Sequence, residues 1–317
     1  MIGKDLDYAA QLLTAEEIVA IPTETVYGLA GNALSTKAVT KIFAVKNRPA
    51  FDPLIIHTNA VSRLAAWTES LPDPLRELAD RFMPGPLTLL VPKLPVIPDL
   101  VTAGSPRVAV RIPRHPLSLA LLERLSFPLA APSANPFGYI SPTTAQHVEQ
   151  QLGEKINYIL DGGPCTVGLE STIVGMEQDQ ITVFRKGGLA VETIEAVVGP
   201  VRVKEHSSSN PQAPGMLKSH YAPRVPLRLG VLGELQNGQS KERLGILAFR
   251  AGLPGVPAEQ QIILSQAGDL QEAAQGLFAA MRRLDQMDID LILAEPFPET
   301  GLGRAINDRL RRASAEE

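Results

Sequence analysis

Three pairs of polar residues, each two positions apart, could do chemistry in this sequence: Thr23 and Thr25, Lys46 and Arg48, Ser133 and Asn135. A spacing of two places side chains on one face of an extended chain; on a helix they would not share a face. Arg48 and Asn135 each precede a proline, which pushes them out of the helical region toward extended backbone. Lys46 and Arg48 can then aim into one cavity, the lysine as a compact point charge and the arginine as a planar fork for phosphate. Taken alone, the cations also read as solvated charges favouring the C-terminal end of a helix dipole, and PSAN as a simple polar turn. A fourth such stretch is RVAVRI, where Val108, Val110 and Ile112 alternate with Arg107, Ala109 and Arg111. Its arginine face either meets solvent or lines a polar cavity.

The elements that must position these groups follow from periodicity. An apolar run from Ile18 to Ile21 ends in Pro-Thr-Glu-Thr. Ser35 can cap a helix over 36–46 with Val39, Ile42 and Phe43 on its inner face. Strands are expected over 53–58, 87–91, 107–112, 128–131, 157–160, 167–174 and 180–185, and helices over 5–16, 72–82, 116–125 and 191–198. His57, Arg111, PSAN and Arg185 then lie at strand ends, where α/β proteins place their sites. From about Arg202 the chain turns rich in Ser and Pro, so 206–226 reads as a linker, although Met216, His220 and Tyr221 suggest that it docks. Beyond it, strands over 227–232, 244–249, 262–264 and 289–294 alternate with helices over 270–284 and 303–312, a small doubly wound unit. Arg304, Arg309, Arg311 and Arg312 are expected on a solvated face of the last helix.

Composition narrows the class. The 317 residues suffice for about two domains, and 44% are apolar. A net charge of −4 and a pI near 5.8 argue against a nucleic-acid coat. The single cysteine, Cys165, excludes an intramolecular disulfide framework or a cysteine-built zinc site and is read as inert. There is no apolar signal core and no run near the ~20 residues of a membrane span, so a cytoplasmic protein without membrane contact is expected. A P-loop is absent, Gly301-Leu302-Gly303 has Ile306 where a dinucleotide fingerprint needs a small residue, and Ser171 lacks a nucleophile elbow.

Read together and in order, PTETVYGLAG, K-N-R, S-A-N, ESTIVG, PGMLKSHYAP and GLGRAINDRLRRA resemble the L-threonylcarbamoyladenylate synthases in their long form. The resemblance implies a YrdC-like catalytic domain over 1–205, a twisted open α/β sheet around a basic cavity; a linker or lid over 206–226; and a Rossmann-like C-terminal domain over 227–317. It further implies that L-threonine, bicarbonate or CO2, and ATP give L-threonylcarbamoyl-AMP and pyrophosphate, for modification of adenosine 37 in tRNAs that read codons beginning with A. A separate transferase complex would make that transfer, without stable nucleic-acid binding by this chain. By the same resemblance Lys46, Arg48, Ser133 and Asn135 form the catalytic cluster. Thr25, His57, Arg111 and Ser171 surround threonine. Arg48, Asp52, Arg107, Ser133, Ser141, Arg185 and Tyr221 contact ATP, with Mg2+ on the phosphates rather than in a protein cage. Pro136-Phe137-Gly138 departs from the Ser-Gly pair that many relatives carry after the Asn. Two other readings are an RNA-gripping module and a carbamoyl-transfer module like that of hydrogenase maturation factors; weak acidity counts against the first and the single cysteine against the second.

Overall fold

The structure, a computed structural model, describes residues 1–204, 216, 220–235 and 241–315. Of the expected linker over 206–226, only Met216 and 220–226 are among them. Eleven strands form one sheet: Ile2–Gly3 (β1), Val19–Ile21 (β2), Gly28–Asn32 (β3), Ile55–His57 (β4), Leu87–Pro92 (β5), Arg107–Arg111 (β6), Leu129–Ala130 (β7), Tyr158–Leu160 (β8), Thr172–Glu177 (β9), Gln180–Arg185 (β10) and Arg202–Val203 (β11). Their order is β1-β8-β2-β3-β7-β4-β6-β5-β9-β10-β11, with parallel and antiparallel pairings mixed.

Alternation along the central strands decides which face holds what. Val108 and Val110 of β6, Leu87, Leu89 and Val91 of β5, and Val174 of β9 point into the main core, where burial of each such side chain contributes about 1.5–3 kcal/mol. The opposite face presents Ile55, Leu90, Ala109, Ile173 and Phe184, a small apolar floor covered by Met216. On the floor's side of the sheet, His57 and Arg111 end neighbouring strands and pair directly across the ladder. The arginine face of RVAVRI therefore lines a cavity at Arg111, which is buried, while Arg107 at the strand start is half-buried.

Four parallel strands, Leu227–Leu229 (β12), Leu244–Ala248 (β13), Gln261–Ile263 (β14) and Leu291–Ala294 (β15), make a second sheet in the order β12-β15-β13-β14. Helices Leu270–Asp285 and Gly303–Ala313 cover one face, and Leu232, Leu253 and Val256 cover the other. The helix 270–285 docks on the loop that follows PSAN. The Tyr139 hydroxyl donates to Asp285 Oδ2 at 2.5 Å, Arg224 Nε donates to the same oxygen at 3.0 Å, and the Val225 amide donates to Oδ1 at 2.9 Å. Arg282 donates to the Ile140 carbonyl, to the Ser141 carbonyl at 3.3 Å and to Gln151 Oε1 at 2.9 Å.

The last helix departs from expectation. Arg309 and Arg312 are buried, at 0% and 2% exposure, while Arg304 and Arg311 reach the surface and pair with Glu192 and Glu299. Two carboxylates make this possible: Asp308 lies 2.7 Å from Arg309 and 3.7 Å from Arg312, and Glu170 lies 2.9 Å from Arg309, so the two cations enter the interior already paired. No helix among the described residues is long and apolar enough to cross a membrane.

Candidate active site

The cavity begins at the end of helix Thr36–Lys46. Ser35 caps its start by accepting the Ala38 amide at 3.2 Å, and Asn47 ends it in the left-handed conformation at φ 52°. That turn lets Lys46 and Arg48 leave in different directions. Lys46, 1% exposed, donates to the carbonyls of Ser133 and Asn135 at 2.6 and 2.5 Å, so it clamps the PSAN loop from behind. Burial, with the Arg48 charge second, pushes the Lys46 ammonium well below its usual range. Arg48 instead faces the cavity, anchored by Nε to the Asp52 carbonyl at 3.1 Å and by Nη2 to the Pro53 carbonyl at 2.7 Å, with the Asp52 carboxylate 2.9 Å away.

The PSAN loop bridges back to the sheet through Gly28 and Ser133. Ser133 is a cavity wall, whereas Asn135 is fully buried behind it, donating to the Pro136 and Tyr139 carbonyls at 2.8 Å each. The Pro136-Phe137-Gly138 segment has a defined place. The Phe137 amide donates to the Lys46 carbonyl at 2.8 Å, its ring lies under Arg48 at 5.8 Å and meets His220 edge-on at 5.7 Å.

On the opposite wall, Arg111 donates from Nε to the Gly85 carbonyl at 3.3 Å and sits 2.8 Å from Glu24. His57, 2% exposed, has no hydrogen-bond partner for Nδ1 among the described residues, and burial with the Arg111 charge pushes its pKa down to about 3. It is a neutral imidazole at pH 7. Ser171 shares a 2.7 Å contact with the Thr88 hydroxyl and receives Arg185 Nη2 on its carbonyl at 2.8 Å and on Oγ at 3.1 Å. Thr23 and Thr25 do meet, 2.8 Å between hydroxyls, but in a turn rather than a strand: Thr23 Oγ1 accepts the amides of Thr25 and Val26 and donates to the Val26 carbonyl.

The structure thus brings Arg48, His57, Arg111, Ser133, Ser171, Arg185 and Tyr221 to one cavity. Lys46, Asp52, Asn135, Thr25 and Ser141 are buried supports around it. Arg107 stands apart at the rim of the floor, its guanidinium 5.2 Å from the Phe184 ring centre. Two polar wall residues carried no sequence expectation as ligands, Glu170 and His220. Glu170 accepts from Ser141 Oγ at 2.6 Å; its signal was a carboxylate set beside Ser171 between two apolar runs. Thr88 offered none. The cavity measures about 50 Å3, space for a few waters and far short of a nucleotide. His220 and Tyr221 form part of its wall. Among the described residues no group of three His, Cys, Asp or Glu side chains converges on a common point.

The chain matches known proteins along most of its length. A family described as "Telomere recombination" (Sua5_yciO_yrdC) matches residues 11–187, and the "Threonylcarbamoyl-AMP synthase, C-terminal domain" family matches 189–315. The chain is 42% identical to a threonylcarbamoyl-AMP synthase of Bacillus subtilis over 96% of its own length and 92% of the relative's. It is 41% identical to the Pyrococcus abyssi threonylcarbamoyl-AMP synthase, covering 96% and 93% respectively. The crystal structure of P. abyssi Sua5 complexed with L-threonine superposes with a TM-score of 0.91 at 37% identity, over 99% of this chain and 97% of that one.

Proposed function

The chain belongs to the threonylcarbamoyl-AMP synthase family, and from that premise we propose that it condenses L-threonine, CO2 drawn from bicarbonate, and ATP into L-threonylcarbamoyl-AMP and pyrophosphate. The observation that carries this reading is the convergence of Arg48, Arg111 and Arg185 on one buried cavity in which Glu170 is the wall carboxylate. Every reactant and leaving group except CO2 is anionic, and fixed cations out of water stabilise such charges strongly.

In the proposed sequence the neutral amine of threonine attacks CO2, forming the C–N bond as one C–O π bond opens to a carboxylate, and the amine proton ends as water with the hydroxide that bicarbonate gives up on yielding CO2. A carbamate oxygen then attacks the α-phosphorus of ATP while the bond from that phosphorus to the bridging oxygen breaks, and pyrophosphate leaves with the electron pair. The chain supplies position and charge rather than a covalent nucleophile. Arg48 and Ser133 would hold triphosphate and carbamate, with Lys46 and Asn135 fixing the loop that presents Ser133. Arg111 would take the threonine carboxylate, exchanging part of its contact with Glu24 for the ligand. Neutral His57, with its unpartnered Nδ1, would contact the threonine beside Thr25 and Ser171. Arg185, Ser141, Asp52, Arg107 and Tyr221 would serve the nucleotide. Mg2+ would enter bound to the ATP phosphates, as part of the substrate. Residues 220–226 would have to lift to admit the nucleotide and return to exclude water from the labile adenylate.

The product would serve a separate transferase complex acting on adenosine 37 of tRNA, without stable tRNA binding by this chain. The test is pyrophosphate release with threonine, bicarbonate and ATP omitted in turn. Release that needs all three supports the reading; undiminished release without threonine removes it.

A further inference from the structure

The C-terminal helix sends one side chain into the catalytic half of the molecule. Arg309, fully buried, donates from Nε to Glu170 Oε2 at 2.9 Å, and Glu170 is both a cavity wall and the acceptor of Ser141 Oγ. The same guanidinium lies 5.1 Å from the Tyr221 ring centre, and that of Arg312 lies 4.7 Å from it. Tyr221 has φ 67°, a left-handed conformation that costs a non-glycine residue free energy and persists only where surroundings impose it. Its ring is accordingly held by the two cations, by stacking on Phe278 at 5.5 Å and by His220 at 4.2 Å.

We propose that Arg309 is a positioning residue for the reaction: by gripping Glu170 and the Tyr221 ring together, it sets where Tyr221 and His220 sit over the cavity. The role in catalysis rests on the function proposed above; the mechanical role does not. A structural account would confine Arg309 to compensating a buried carboxylate. The two accounts separate in the pair of variants Arg309→Met and Arg309→Met/Glu170→Gln. The single variant strands a buried carboxylate and lowers the melting temperature. The double variant removes the stranded charge, so its melting temperature returns toward that of the unaltered protein, but Tyr221 keeps only Arg312 of its two cations and has lost the one that tied it to residue 170.

The measurements are amide hydrogen exchange over 220–225, the melting temperature, and KM for ATP against kcat. With Arg309 as the positioning residue, exchange over that segment and KM for ATP both rise about tenfold in the double variant, the factor that loss of one desolvated cation–π contact accounts for. Restored melting with exchange at the unaltered rate would overturn the proposal. If the unaltered protein itself releases no threonine-dependent pyrophosphate, the functional reading fails, while the exchange result still decides the role of Arg309.

Discussion

His57 is held neutral by its place at a strand end among buried groups and beside Arg111, with a pKa near 3 against an ordinary 6.5. His147 is pushed down to about 4, again mainly by burial, and His220 well below its usual value by burial and then Arg312. Below pH 6.5 the unfolded chain binds protons that these folded imidazoles refuse. Their contribution is therefore complete above pH 6.5 and is lost as pH falls through the window from 6.5 toward 3. At pH 5 a fully buried imidazole such as His57 forfeits about 2 kcal/mol. Thermal melts at pH 7 and pH 5 should show a clear drop in the midpoint at pH 5, and an unchanged midpoint would contradict neutral burial. At this scale residue pairs two apart, with prolines after Arg48 and Asn135, are local features that pointed to Arg48 and Ser133, whereas His57, Arg111, Ser171, Arg185 and Tyr221 were expected as ligands only through the family resemblance. The sequence missed how labour divides within a pair. Lys46 faces loop carbonyls and Arg48 the cavity because Asn47 turns left-handed between them, and nothing in Lys-x-Arg spacing reveals that.

The helix over 36–46 shows how an element aims its end. A left-handed C-cap suits Gly or Asn and penalises branched residues. Asn47→Gly should leave melting and turnover near their original values, whereas Asn47→Val should cost about 1–2 kcal/mol and raise KM for ATP, because Arg48 no longer exits toward the cavity. Equal behaviour of the two variants, by calorimetry and initial rates, would sink this account. Ser35→Ala, which removes the distant N-cap and the hydroxyl's contact with Glu16, should cost about 1 kcal/mol of stability with KM unchanged. Most elements were legible from period, since RVAVRI and the helix caps declare themselves. The strand Gly28–Asn32 was not. Its sequence, GLAGN, has little strand propensity, and it is a strand because β2 and β7 pair with it on both sides. Its glycine serves packing too: a Cβ on Gly28 would stand 3.2 Å from the Ala131 Cβ, close to the start of PSAN.

Across the whole molecule, two sheets communicate through buried charge rather than through a thin tether. Arg282 crosses from the second unit to carbonyls at 140 and 141, directly beside the cavity support Ser141. Arg282→Met would leave those carbonyls without their donor, at about 1–3 kcal/mol each. Calorimetry should then show the unfolding of the two units pulled apart into two transitions, and a single unshifted transition would contradict this coupling. Such contacts are long-range, which is why a run like DRLRRA reads as a solvated face until the partner carboxylate of Arg309, Glu170, is located 139 positions away. The alternation of strands and helices after 227 needed no such knowledge, because each face of a doubly wound sheet leaves its own local pattern.

The central claim is that a small buried cavity uses fixed positive charge to hold anions while phosphorus exchanges partners. The most direct measurement is the rate of threonine-dependent pyrophosphate release by a Lys46→Met/Arg48→Met variant, at a temperature where circular dichroism shows it folded. Loss of about a thousandfold or more in turnover is predicted, on the scale of removing preorganised charge from a transition state. Turnover within about tenfold of the unaltered protein, little more than one weak contact contributes, would contradict it.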